Sequence, residues 1–355
     1  MLRSGPGGGA ALLALSAACS SSRSAAPVTQ VSAIGDTLAT AYTDVVDAGW
    51  LGGNRWAVLD QVENTVGIAD FAKRQIAPLA GPKELRNPAH LFVAGDTLFV
   101  GDWGLRRLSL WTPAGRLVRS IPAPRALRGA LPRARDGSQH FYAELDPSPG
   151  PDGSGNRDSA AVVKADPGLS RADTVARLAP LDIAEVQGNA GRRFERRVFS
   201  GMDLWGVLPD GSLWISRVYH NRVDWRDPQG HWTRGENLPD RVLEVTRYDR
   251  ELFLRKFPPE LRRTAQELPF APLKPPFEWA MGDPQGDVWL EKSRAPADSV
   301  RRYHVVNRRG SLLQEIHLRG TGRILAVGDN SLLVIEPSPQ GVRLIQVQLP
   351  GRPPE

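Results

Sequence analysis

Val207-Leu208-Pro209-Asp210-Gly211-Ser212-Leu213-Trp214-Ile215-Ser216-Arg217 is the stretch that decides the architecture. It reads as an apolar run, a Pro-Asp-Gly turn and a strand led by a large aromatic. Glycine at the turn supplies the positive φ that a two-residue hairpin connection needs. The phrase recurs as Gly286-Asp287-Val288-Trp289-Leu290, Gly95-Asp96-Thr97-Leu98-Phe99-Val100 and Asp329-Asn330-Ser331-Leu332-Leu333-Val334. Weaker copies lie at Gly53-Asn54-Arg55-Trp56-Ala57-Val58 and Asp136-Gly137-Ser138-Gln139-His140-Phe141-Tyr142.

Anchored on Ala57, Phe99, Phe141, Trp214, Trp289 and Leu333, the copies are 42, 42, 73, 75 and 44 residues apart. The short steps match the ~40–50 residues of one four-stranded propeller blade. Third strands follow at Arg107–Trp111, Asn221–Trp225, Arg302–Val306 and Val342–Ile345, and further turns lead to fourth strands. A lone four-stranded sheet buries neither of its apolar faces, whereas radial stacking lets each sheet cover its neighbours. A β-sandwich would need the repeat to be coincidence. The expected fold is therefore all-β: a six-bladed β-propeller of four-stranded antiparallel blades.

Val100-Gly101-Asp102-Trp103-Gly104-Leu105-Arg106-Arg107-Leu108 resembles the NHL-repeat pattern of strand, aspartate, polar turn, arginine and strand. The connector Leu79 to Pro88 fits the same pattern. Together they are similar to bacterial six-bladed β-propeller lipoproteins of the NHL/TolB-like kind, over roughly residues 45–350, with blade three departing most. In such repeats the aspartate after the second strand fixes the following turn.

The N-terminus reads as an export signal. Met1-Leu2-Arg3 is a minimal basic region, Ala10 to Ala18 is apolar, and Cys19, the only cysteine among 355 residues, follows two alanines. Residues 1–19 are read as a signal peptide with a lipobox-like cysteine, although Ser16 stands where such a site prefers leucine. Cys19 would then carry the lipid anchor, with 20–27 as tether, 28–350 as propeller and 351–355 as a tail. The expected location is the periplasm or cell envelope. Without a second cysteine the chain has no disulfide, and its stability must come from packing.

The last blade shows only three strands of its own, so Val28–Ile34 or Leu38–Thr43 is expected to close the ring as its outer strand. Three excursions interrupt the repeat. Asp146 to Asp158 is a Gly/Pro/Ser-rich loop, and Ala179 to Phe199 is read as a solvated basic loop. Residues 238–277 form a helical insertion between blades four and five. There Pro258-Pro259 opens a helix with Leu261, Ala265 and Leu268 on one face.

The sequence holds no catalytic signature, and its six histidines are scattered singly. Three residues past each anchor stand Asp60, Asp102, Glu144, Arg217, Lys292 and Glu336. Every blade thus ends its second strand on an ionisable residue, and all six should project toward one mouth of the ring. They are the candidate ligand-binding residues, with Asp60, Asp102 and Glu144 suited to a hard cation. The leading expectation is a non-enzymatic binding module for an envelope protein or small polar ligand. The rival is a calcium-type hydrolase or lyase using a divalent cation, since calcium-dependent lactonases and amidating lyases share six-bladed architectures. A third is a scaffold within an envelope assembly. The formal charge of +6 would raise nucleic acid as a partner, but export and the scatter of the arginines argue against it.

Overall fold

Two aspartates show how the first hairpin of a sheet is made. Asp283 Oδ1 accepts from Asp287 N–H at 2.9 Å and its Oδ2 from Trp289 Nε1–H at 2.8 Å, so one carboxylate closes the turn and holds the aromatic. Asp136 serves His140 N–H and the Tyr142 hydroxyl in the same way. Gly211 and Gly286 take φ of 87° and 91°, values that side chains resist.

The computed structural model describes residues 26–146, 160–188 and 191–349. Their strands form six radial antiparallel sheets in chain order. Blade one runs Val45–Trp50, Arg55–Asp60, Thr65–Asp70 and Gln75–Ala80. Blade two runs Pro88–Ala94, Thr97–Asp102, Arg107–Trp111 and Leu117–Pro122. Blade three begins with a two-residue strand, Ala134–Arg135, and continues with Phe141–Leu145, Ala161–Ala165 and Ala172–Arg177. Blade four comprises Leu204–Val207, Leu213–Arg217, Arg222–Arg226 and Trp232–Thr233. Blade five comprises Phe277–Gly282, Val288–Lys292, Val300–Val306 and Leu312–Arg319. Blade six contributes Arg323–Val327, Ser331–Ser338 and Gly341–Gln348.

The buried side chains fall into six clusters, one in each wedge between neighbouring blades. Leu59, Leu98 and Val100 fill the wedge of blades one and two, Phe99 and Phe141 that of two and three, and Val162 and Ile215 that of three and four. Trp214 and Leu290 fill the next, and Trp289 and Val334 the wedge of five and six. The six anchor residues are all at most 3% exposed. Two facing layers would share one core, so this distribution excludes the sandwich.

The chain's first strands close the ring, but the stretch 28–34 does not join blade six, and the strand that does shares only Leu38 and Ala39 with the expected Leu38–Thr43. β1 (Val28–Ser32) adds in parallel to the outer strand of blade five, making that blade five-stranded, where four were expected. β2 (Asp36–Ala39) pairs antiparallel with Gly341–Gln348 as the outer strand of blade six. Gly35 lies between them, where a Cβ would stand 2.0 Å from the Gln346 carbonyl oxygen, so only glycine permits this crossing. Across the closing wedge, Trp56 Nε1–H donates to Gln346 Oε1 at 3.1 Å, and Gln346 Nε2–H donates to Asn54 Oδ1 at 2.9 Å.

The second strands all end on one face of the ring, here the upper face, which also carries the connectors between blades. The two described excursions, 179–199 and 238–277, are such connectors and therefore rise from the same side. Residues 147–158 and Cys19 lie outside the described residues. The stretch read as a basic loop is instead a β-hairpin, Ile183–Gly188 with Gly191–Arg196. Its arginines are paired: Arg192 with Glu185 at 2.8 Å, Arg193 with Glu195 at 2.9 Å and Arg197 with Asp182 at 3.3 Å. The helical insertion sits between blades four and five as expected. It holds α1 (Arg247–Arg255), opened by a Thr246/Asp249 capping box, and α2 (Pro259–Gln266), opened by proline. Ala265 is buried but Leu261 is 51% exposed, so α2 rests on a narrower face than the spacing implied.

Hairpin and helices pack on each other as one lobe. Phe253 makes edge contacts with Phe199, Phe257 and Phe270 at centroid distances of 5.9, 5.2 and 5.7 Å. Arg193 reaches Glu267 at 3.2 Å. Lys274 Nζ, buried, pairs with Asp249 at 2.5 Å and donates to the Arg294 carbonyl at 2.8 Å, fastening the lobe to blade five.

Candidate functional site

The six strand-end residues do come to one face, and each has local partners. Asp60 accepts from the backbone N–H groups of Thr43, Asp44 and Glu63, and Asp102 from those of Arg86, Asn87 and Leu105. Both are fully buried. Each stitches the loop after its own strand to the connector entering the blade. In blade four Asp203 takes this part, accepting from Ala179 N–H and Val218 N–H, and Arg217 donates to it at 2.8 Å. Lys292 Nζ reaches Asn221 Oδ1 at 3.0 Å and Asp240 at 3.3 Å, and burial holds its pKa below the usual lysine range. Glu336 bonds the Thr321 hydroxyl at 2.7 Å and pairs with Arg343. Glu144 accepts from Trp205 Nε1–H at 2.8 Å and from Arg133 at 3.5 Å.

The residues that face the axis stand one strand further in. Four inner strands carry a β-bulge near the upper end, at Val45/Asp47, Pro88/His90, Phe277/Trp279 and Ile324/Ala326. A bulge re-aims the next side chain. Asp47, His90 and Trp279 each follow such a bulge, opposite the residue before the strand-end position of the second strand.

These strands enclose a channel of about 690 Å³, within the range of small-molecule sites. Trp205 and Trp279 stand toward its upper mouth and Trp50 and Trp214 toward its lower one, with Phe92, Met281 and Leu325 between. Four of the chain's ten tryptophans therefore share one cavity. Room for them comes from small residues on the same strands: Trp214 lies against Gly206 and Gly282, where an added Cβ would meet its indole at 2.4 and 3.2 Å.

The polar groups of the upper mouth balance in charge. The Arg133 guanidinium lies 5.9 Å over the Trp205 ring and that of Arg323 4.9 Å over Trp279, distances at which a cation gains from an indole face. Glu144 answers Arg133, while buried Glu291 holds Arg301 at 2.5 Å and Arg323 at 2.9 Å. Asp47 accepts from Ala48 N–H and, across the blade boundary, from Leu91 N–H, both at 2.9 Å. Desolvation nevertheless pushes its pKa up to about 6. His90, against the Pro132 carbonyl at 2.7 Å, is pushed down to about 4, chiefly by burial, and is neutral at pH 7. With one ring nitrogen on that carbonyl, the other is left as an acceptor.

The carboxylates read as suited to a hard cation, Asp60, Asp102 and Glu144, are each engaged by partners of their own. Among the described residues no three His, Cys, Asp or Glu side chains come together to hold a metal. Asp60 and Asp102 spend their oxygens on backbone N–H groups within separate blades.

No protein-family model matches the chain, and no curated protein matches its sequence. Solved structures do match it in fold. A member of the DUF4221 family from Bacteroides vulgatus superposes with a TM-score of 0.51 at 12% identity, over 86% of this chain and 92% of that one. A Bacteroides fragilis protein described as exported gives 0.51 at 7% identity, over 91% and 100%. A gluconolactonase from Xanthomonas campestris gives 0.46 at 12% identity, over 87% of each chain. At these identities the two matches above 0.5 speak for the fold alone.

Proposed function

We propose that this chain is an exported propeller that binds a small polar ligand in its axial channel, acting as a binding module of the cell envelope. The observation that carries the reading is the channel itself: four indoles around one cavity with a desolvated carboxylate, Asp47, on its wall. Apolar walls with a few placed polar groups are what a small-molecule site requires, and a carboxylate left with poor solvation gains by meeting a ligand donor. Guanidiniums and carboxylates offset one another at the upper mouth, which favours a neutral or zwitterionic ligand over a bare ion. Glu144 serves the site by holding Trp205 and Arg133 in place.

Export rests on the basic start, the apolar stretch before Cys19 and the polar tether. Among the described residues no helix is long and apolar enough to cross a membrane; a lipid on Cys19 is the attachment this reading takes from the sequence. Native mass spectrometry of the chain purified from its envelope tests the reading. A small-molecule adduct should accompany the wild type and be lost in Trp205→Ala and Trp279→Ala. An adduct untouched by both substitutions, or none at all, would contradict it.

A further inference from the structure

Beside the channel, on the upper face between blades two and three, lies a second cavity of about 380 Å³. Trp103, Arg106, Arg128, Arg133 and Glu144 line it over a floor that includes Leu127. Arg133 belongs to both cavities. Three arginines thus line one small space. Their counter-charges are already engaged: Glu144 bonds Trp205 and Arg133, and Asp146 also has a partner. No hydrogen bond or ion pair among the described residues takes up the Arg106 or Arg128 guanidinium.

The backbone gives a second, independent sign. Arg106 and Arg128 hold left-handed conformations, with φ of 49° and 51°. In the corresponding turn of blades one and four this place belongs to Asn64 and Asn221, with φ of 53° and 44°. Asparagine tolerates such angles better than other side chains, and a longer residue there carries local strain. Turn geometry therefore asks for asparagine at position 106, while arginine stands there facing a cavity. The usual reason for glycine at a helix end applies equally at Arg128, the residue that caps Arg125–Leu127.

We infer that this cavity binds a small organic anion, a phosphate or carboxylate group held by Arg106, Arg128 and Arg133 and carried on a ring that lies against Trp103. Guanidiniums present a planar fork of donors matched to both oxyanions. The volume exceeds what a bare phosphate needs, and Trp103, 47% exposed at the rim, offers an aromatic face for the remainder. The inference stands apart from the channel reading, since apart from Arg133 and Glu144 it rests on different side chains.

Calorimetric titration of the purified chain at low salt, using inorganic phosphate, phenyl phosphate and benzoate, decides it. Phenyl phosphate or benzoate should bind saturably, and which of the two binds tighter tells phosphate from carboxylate. Arg106→Asn combined with Arg128→Gly should weaken that binding at least about tenfold, on the scale of losing charge-assisted bonds, while the ligand-free melting point stays level or rises. Trp103→Ala should remove the advantage of the ring compounds over inorganic phosphate. No binding by any probe, or binding unchanged in the double variant, would overturn the site. Inorganic phosphate binding as tightly as phenyl phosphate would overturn its ring-bearing half.

Discussion

Asp47 and His90 stand on adjacent blades, and their titrations oppose each other. Between about pH 4 and 6 the folded chain keeps the Asp47 proton that the unfolded chain gives up, so this group lowers stability as pH rises. Between about pH 4 and 6.5 the unfolded chain binds a proton that buried His90 refuses, so this group raises stability over nearly the same window. Urea unfolding from pH 4 to 7 should show the two contributions separately in variants. Relative to wild type, Asp47→Asn should gain about 1–3 kcal/mol as pH rises, and His90→Asn should lose a similar amount. Parallel curves for both variants and wild type would refute these assignments. Asp102 makes the contrasting case, because its carboxylate accepts three backbone N–H groups. Asp102→Asn should cost about 2–3 kcal/mol and lower the melting point by several degrees, read by calorimetry, while channel binding persists. The ionisable strand-end positions were legible because the repeat numbers them. Asp47 and Trp279 were not: a bulge adds a residue to their strands, and no sequence spacing announces a bulge.

At the scale of elements, the turns and second strands were the readable part, since Asp-Gly chemistry and large aromatics leave a local signature. The hairpin 183–196 was missed because charged residues interrupt its apolar positions, Ile183, Val186 and Phe194. Arg192, Glu185, Arg193 and Glu195 pair across solvent instead of alternating with a core. In the sequence, Phe253, Leu254 and Phe257 suggest no more than a helical turn where α1 stands, though Thr246 and Asp249 spell its capping box. What holds hairpin and helices together is the phenylalanine cluster around Phe253, built from residues up to 71 positions apart, between Phe199 and Phe270. Phe253→Ala should therefore loosen the lobe and spare the ring. Hydrogen exchange should accelerate in 183–196 and 247–266, while the blade strands keep their protection. Uniform acceleration throughout would mean that the lobe is part of the ring's own stability.

For the whole molecule, closure is the cooperative step. β1 buries Val31 on blade five, whereas β2 supplies the missing strand of blade six and buries Leu38 in the closing wedge. Removing residues up to 32 should lower the melting point modestly, and removing residues up to 39 should lower it far more. Equal melting points for the two truncations would show that β2 does not close the ring. The sequence offered the two stretches as alternatives for one place, the outer edge of blade six, and could not assign them to two blades, because each reads simply as a short strand.

The measurement that bears most directly on the axial channel is NMR of the ¹⁵N-labelled indoles during titration with neutral sugars and zwitterionic amino acids. The channel reading predicts saturable shifts of Trp50, Trp205, Trp214 and Trp279 together, with Trp232, exposed on the outer strand of blade four, unmoved. Probes that bind while leaving those four signals still, or that move only the outer tryptophans, would contradict it.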